Sequence, residues 1–174
     1  MSMSRRLLLA ALALALPVLP AGLAVASQDV LPPPVGEVVL TVRGSVAVAN
    51  DGAAARLDRA ALHAMGLDEL RTATPWTDGA ETFTGVLAAR LLEALGARGT
   101  RVRARALNDY AATIPLEELR AYPVLLALER GGRPLSVRER GPVWIIYPWS
   151  SHPELDTRVH RQRSVWQLHE LVVE

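Results

Sequence analysis

Ala106-Leu107-Asn108-Asp109-Tyr110-Ala111-Ala112-Thr113-Ile114-Pro115 is the stretch on which the reading of this chain turns. Val102, Ala104 and Ala106 lead into it with arginines at the intervening positions, the period-2 alternation of a half-buried strand. The alternation breaks at Asn108-Asp109, two short polar residues of the kind that turn or bulge a strand. A second apolar run then stops at Pro115, a residue suited to the first turn of a helix, which the pattern predicts to about Ala121. An amide, a carboxylate and a phenol are thereby held together at the mouth of a sheet. Such a place suits a flat, hydrogen-bonding ligand.

Outward from that stretch, short strands predominate. Glu37 to Arg43 alternates through Val38, Leu40 and Val42, and Val46 and Val48 read as a second strand running to the turn Asn50-Asp51-Gly52. Asp58 is placed to cap a short helix carrying Leu62 and Met65 and closed by Gly66. Leu70 to Thr74 is a short strand ending at Pro75-Trp76, and Thr77-Asp78-Gly79 turns the chain. Thr84 is expected to cap the clearest helix, with Val86, Leu87, Leu91, Leu92 and Leu95 on one face and Gly96 at its end. Downstream, Val124–Leu128 and Val143–Tyr147 read as buried strands, separated by the turn Gly131-Gly132. Pro148 to Pro153 is an irregular loop, and Trp166, Leu168 and Leu171 lead into a last strand. Many strands with two or three helices predict an α+β domain on a mainly antiparallel sheet or barrel.

The N-terminus has the pattern of an export signal. Arg5-Arg6 precede an apolar run from Leu7 to Leu16, Pro17 and Pro20 interrupt it, and Ala24-Val25-Ala26 supplies small residues for cleavage. A membrane anchor needs roughly 20 unbroken apolar residues, which the prolines prevent. The expected organisation is therefore a signal peptide over 1–26, an extended lead over 27–36 around Pro32-Pro33-Pro34, and one domain over 37–174. That places the protein in the periplasm and not inserted in the membrane. Ser4-Arg5-Arg6-Leu7 also resembles a twin-arginine signal, and the export route stays open.

Cleavage after Ala26 leaves 148 of the 174 residues, enough for one domain with a sizeable core. It removes two of the 19 basic residues, all of which are Arg, and none of the 18 acidic ones, leaving a net charge of −1. That balance offers no electrostatic case for nucleic acid or an anionic membrane. There is no cysteine, which excludes disulfides, thiolate metal ligands and a cysteine nucleophile.

Residues with chemistry reduce to an aromatic and polar set at predicted loop mouths: Trp76, Asp78, Asn108, Asp109, Tyr110, Tyr147 and Trp149. None of the four histidines has a zinc-binding spacing, and only His152 is kept as a candidate ligand contact. No G-x-S-x-G elbow or phosphate loop is present, and Glu117-Glu118 and Asp68-Glu69 read as solvated faces. Aromatic faces stack on heterocycles, and a carboxylate accepts two parallel N–H donors of the kind a pterin presents on one edge. Asp109 is the first choice for that role.

These residues resemble the molybdopterin-binding domains of the sulfite oxidase type. The resemblance is carried by Phe83-Thr84-Gly85-Val86-Leu87 with Leu91-Leu92 and Gly96, by Ala106 to Pro115, by Val124 to Pro134 and by Gly141 to Pro148. It implies the α+β fold of those catalytic domains from about Leu70 to the C-terminus. It also implies a thiolate ligand to molybdenum near Arg71-Thr72-Ala73-Thr74, where this chain has no cysteine. The family's Asp-Gly-Tyr is replaced by Asn108-Asp109-Tyr110, and a family arginine by Trp144. Thr74-Pro75-Trp76, Ala106–Tyr110 and Gly141-Pro142 with Trp144 and Tyr147-Pro148 instead resemble a small exported branch of the fold. That branch is associated with binding a free reduced pterin and reporting it to a membrane-bound signalling protein, often a cyclic-di-GMP enzyme.

Two functions follow as expectations. The favoured one is a periplasmic protein that binds a tetrahydropterin without a metal and signals by contact, with no catalysis of its own. The competing one is a molybdopterin-dependent oxidoreductase that holds its cofactor without a thiolate. An interaction module with an empty ancestral pocket is a third.

Overall fold

The computed structural model describes residues 31–174. The expected signal peptide and the start of the expected extended lead lie outside the described residues. Ten strands and four short α-helices follow, in the order β1 (Val38–Gly44), β2 (Ala54–Asp58), α1 (Arg59–Ala64), β3 (Asp68–Ala73), β4 (Ala80–Leu87), α2 (Ala88–Ala94), β5 (Arg101–Ala106), β6 (Ala111–Pro115), α3 (Leu116–Ala121), β7 (Leu125–Arg130), β8 (Arg133–Pro134), β9 (Trp144–Ile146), α4 (Arg158–Arg163) and β10 (Leu168–Val173). They make two sheets rather than one closed barrel. One has the order β2-β1-β10-β5-β6, and the other runs β3-β4-β7, with β8 and β9 both pairing β7. Among the described residues only β1 and β10 pair in parallel, so the α+β, mainly antiparallel expectation holds.

Sequence alternation explains the first sheet. Val102, Ala104 and Ala106 of β5 are buried while Arg101 and Arg103 face solvent, and Leu171 and Val173 of β10 continue the same apolar face. The second sheet is covered more completely. Leu125–Leu128 of β7 and Trp144–Ile146 of β9 are buried without interruption, as in strands packed on both faces. Asp58 caps α1 by accepting from Ala61 N–H, as its position predicts, and also accepts from Val35 and Gly36 N–H at 2.8 Å each. Its carboxyl is held below the usual carboxylate range chiefly by the Ala61 and Gly36 N–H bonds.

Two expectations need correction. Val46 and Val48 do not form a strand: Ala47 and Val48 N–H donate to the carbonyl of Leu95 at the end of α2, and the strand pairing β1 begins at Ala54, beyond the Asn50-Asp51-Gly52 turn. Thr84 does not cap a helix. It pairs with Glu69 and Glu129 inside β4, and the helix starts at Ala88 without a side-chain cap. The reason lies in Gly85, where an added Cβ would meet the Leu126 carbonyl oxygen at 2.1 Å. The glycine lets β4 press against β7, and that non-local pairing overrides the helical spacing of Val86 and Leu87. Among the described residues no helix is long and apolar enough to cross a membrane.

Candidate functional site

The site is built on the turn after β3, the β5–β6 turn, α4 and the segment Ser164–Trp166 that follows α4. After β3, Thr74 and Thr77 lock a turn: Thr74 Oγ1 accepts from Trp76 N–H at 3.1 Å, and Thr77 Oγ1 accepts from Thr74 N–H at 3.0 Å. This turn holds Trp76 against all three other tryptophans, with ring centroids 5.3 Å from Trp166, 5.8 Å from Trp144 and 6.1 Å from Trp149. Trp149 Nε1 donates to the Leu155 carbonyl, and the Arg140 guanidinium lies over Trp144 and Trp166 at 5.2 and 5.4 Å.

The β5–β6 turn forms the next wall. Asp109 adopts φ of 65°, a conformation that short polar residues tolerate, and Ala106 and Tyr110 close the turn through a 2.8 Å backbone bond. Asn108 Oδ1 accepts from Tyr110 N–H, which leaves its amide N–H₂ without a partner among the described residues. Tyr110 reaches across and donates its hydroxyl to the Gln162 carbonyl of α4 at 2.9 Å.

The helix, α4, went unread in the sequence. It buries no side chain and is held by polar contacts: Thr157 accepts from His160 N–H at its start, and Arg163 donates to the Thr113 carbonyl and to Glu118. Glu118, only 11% exposed, also accepts from the Tyr147 hydroxyl at 2.6 Å. Burial, then the bond to Glu118, raises the Tyr147 hydroxyl far above the ordinary phenol value and keeps it a donor.

Together these elements enclose a cavity of about 390 Å³. Trp76, Tyr110 and Trp166 give it aromatic walls, Asn108 and Gln162 give it amides, and Arg158 and Arg161 give it two cations. Among the described residues no carboxylate lines it. Of the seven residues singled out in the sequence, Trp76, Asn108 and Tyr110 converge here. Tyr147 and Trp149 are buried and do not line it, their polar atoms already bonded to Glu118 and Leu155. Asp109 is 89% exposed, points to Arg105 at 3.4 Å and is not part of the lining, and Asp78 is exposed on its turn. His152 bonds Glu154 at 3.0 Å and packs on Tyr122, away from the cavity.

The residues do not fit a thiolate-held metal. With no cysteine in the chain, the hydroxyls around Arg71–Thr74 are engaged elsewhere: Thr72 Oγ1 accepts from Ser150 N–H, and Thr74 Oγ1 bonds Thr77. Among the described residues no cluster of three His, Asp or Glu side chains is placed to hold a metal ion. The aromatic walls and amides do fit a flat heterocycle, whose ring stacks while its N–H and C=O edge meets amide groups.

The family described as "Oxidoreductase molybdopterin binding domain" matches residues 57–151, which include the β5–β6 turn and the Trp76 loop. Among solved structures, the sulfane dehydrogenase SoxCD from Paracoccus pantotrophus matches at a TM-score of 0.58 and 17% identity over 77% of this chain. The match spans 37% of the SoxCD chain, and at that identity it establishes the fold. No curated protein has a matching sequence.

Proposed function

From a chain that belongs to the oxidoreductase molybdopterin binding domain family, with the sulfite oxidase fold, we propose a protein that binds a reduced pterin through its organic rings. It binds without a protein-ligated molybdenum and relays the ligand's presence to a membrane-bound signalling protein, a cyclic-di-GMP enzyme being the expected kind. The observation that carries the reading is the pairing of an aromatic, amide-lined cavity with a chain that lacks cysteine. In this reading the ring stacks on one of the aromatic faces of the cavity, Trp76, Trp166 or Tyr110, and the amides of Asn108 and Gln162 read its edge. An amide presents a donor and an acceptor side by side, complementary to a pterin's N–H and C=O. Asp109, exposed beside the mouth, takes the place of a rim residue rather than the edge-reader. A periplasmic location rests on the N-terminal sequence pattern.

The second reading, a molybdopterin-dependent oxidoreductase, is favoured by the family's own description and by the dehydrogenase that shares the fold. Protein isolated from its native compartment separates the two. Mass spectrometry of the released small molecule and elemental analysis should give a pterin and no stoichiometric molybdenum. Molybdenum at one atom per chain would replace the first reading with the second.

A further inference from the structure

A second cavity of about 340 Å³ adjoins the first and is lined by Ala73, Thr74, Trp149, Ser150 and Asp156. Arg161 lines both. Its Nε and Nη2 donate to the same oxygen of Asp156 at 2.9 and 2.7 Å, so the pair is not a two-oxygen fork, and each side chain is about half exposed. An exposed pair of that kind is weakly held. Arg158, one turn earlier on the same helix, also lines the first cavity and has no hydrogen-bond or ion-pair partner among the described residues. Two guanidinium groups therefore border a cavity with no carboxylate in its wall among the described residues, on a helix that buries no side chain.

Resting on the pterin reading, we infer that the ligand is an anion-bearing heterocycle, a carboxylate or phosphate ester of the ring system. Its anion takes Arg161 away from Asp156 while Arg158 supplies the second cation. The exchange leaves Asp156 unpaired at the end of the Pro153–Leu155 turn, whose Leu155 is buried under Trp149. Ligand occupancy is thereby written as a change of charge and order on the surface between that turn and α4, where a partner reads it.

Anaerobic calorimetric titration of the chain lacking residues 1–26 with the tetrahydro forms of pterin-6-carboxylate, 6-hydroxymethylpterin and a phosphorylated 6-hydroxymethylpterin tests this. A charge-assisted contact should make the anionic probes bind about tenfold or more tighter than the neutral one. Arg158→Met and Arg161→Met should narrow that gap, each checked for native near-ultraviolet circular dichroism. Asp156→Asn, which frees Arg161, should tighten the anionic probes several-fold and leave the neutral probe unchanged. Preference for one anionic probe identifies the ester or the acid, and either supports the inference. Binding of all three with equal affinity, or an Asp156→Asn variant that gains nothing for the anions, overturns the exchange while leaving the pterin reading standing. Failure of every probe to bind overturns both.

Discussion

Trp76→Ala is the perturbation that separates the cavity's role from its packing. Trp76 touches three indoles at 5.3 to 6.1 Å, and each aromatic pair of this geometry contributes about 0.5–1.5 kcal/mol beyond area burial. Losing all three, together with the apolar area the indole buries, costs about 3–5 kcal/mol of stability. A domain of this kind is stable by roughly 5–15 kcal/mol, so the variant stays folded at 25 °C with a lowered Tm. Its ligand loses one stacking face, worth about 1–3 kcal/mol by analogy with bases stacked on aromatic side chains. That is about a fivefold to 150-fold weaker Kd. Trp76→Phe keeps a stacking face and should recover most of the affinity. Calorimetry is the assay of choice because the substitution alters the tryptophan fluorescence it would otherwise rely on. A folded Trp76→Ala protein that binds a reduced pterin within a factor of two of the parent would refute the placement of the ring.

Three other substitutions probe the scaffold. Tyr147→Phe removes the hydroxyl donated to Glu118 and should cost about 2 kcal/mol in urea unfolding while leaving ligand affinity unchanged, because the ring is buried and does not line the cavity. Lost affinity at unchanged stability would show that Tyr147 contacts ligand. Gly85→Ala would force β4 from β7 and should cost about 3 kcal/mol, seen as a lower Tm; an unshifted Tm would contradict the close approach at Leu126. Asp58 has a folded pKa below its unfolded value, so the stability it contributes is present above about pH 4 and is lost as pH falls through the folded value. Asp58→Asn should flatten that acid limb of the stability profile, and an unchanged limb would remove Asp58 as its source.

Local signals were legible where local chemistry decides the structure. The β5 alternation, the Asn108-Asp109 turn, the Pro115 entry into α3 and the Asp58 cap each follow from residues within a few positions of one another. The start of α2 was not legible, because β4 extends through Leu87 only by pairing with β7 some 40 residues away in sequence. The Val46–Val48 segment was misread for a related reason: its apolar spacing is that of a strand, but its N–H groups find Leu95.

The site divides the same way. Trp76, Asn108 and Tyr110 lie on turns that the sequence marks, and they meet in one cavity. The wall opposite belongs to α4, whose Arg158-Val159-His160-Arg161-Gln162-Arg163 buries nothing and so carries no hydrophobic period to read. Its only advance signal is Thr157 as an N-cap. Asp109 stood out as an acid before a tyrosine, yet its residue type is accounted for by the left-handed turn it occupies.

The central claim, that this cavity takes the organic rings of a pterin without a metal, is tested most directly by anaerobic calorimetric titration of the metal-free chain lacking residues 1–26 with a tetrahydropterin. The account predicts saturable binding at one ligand per chain with no molybdenum added. Absence of binding heat with any pterin, in a protein shown to be folded, would contradict it.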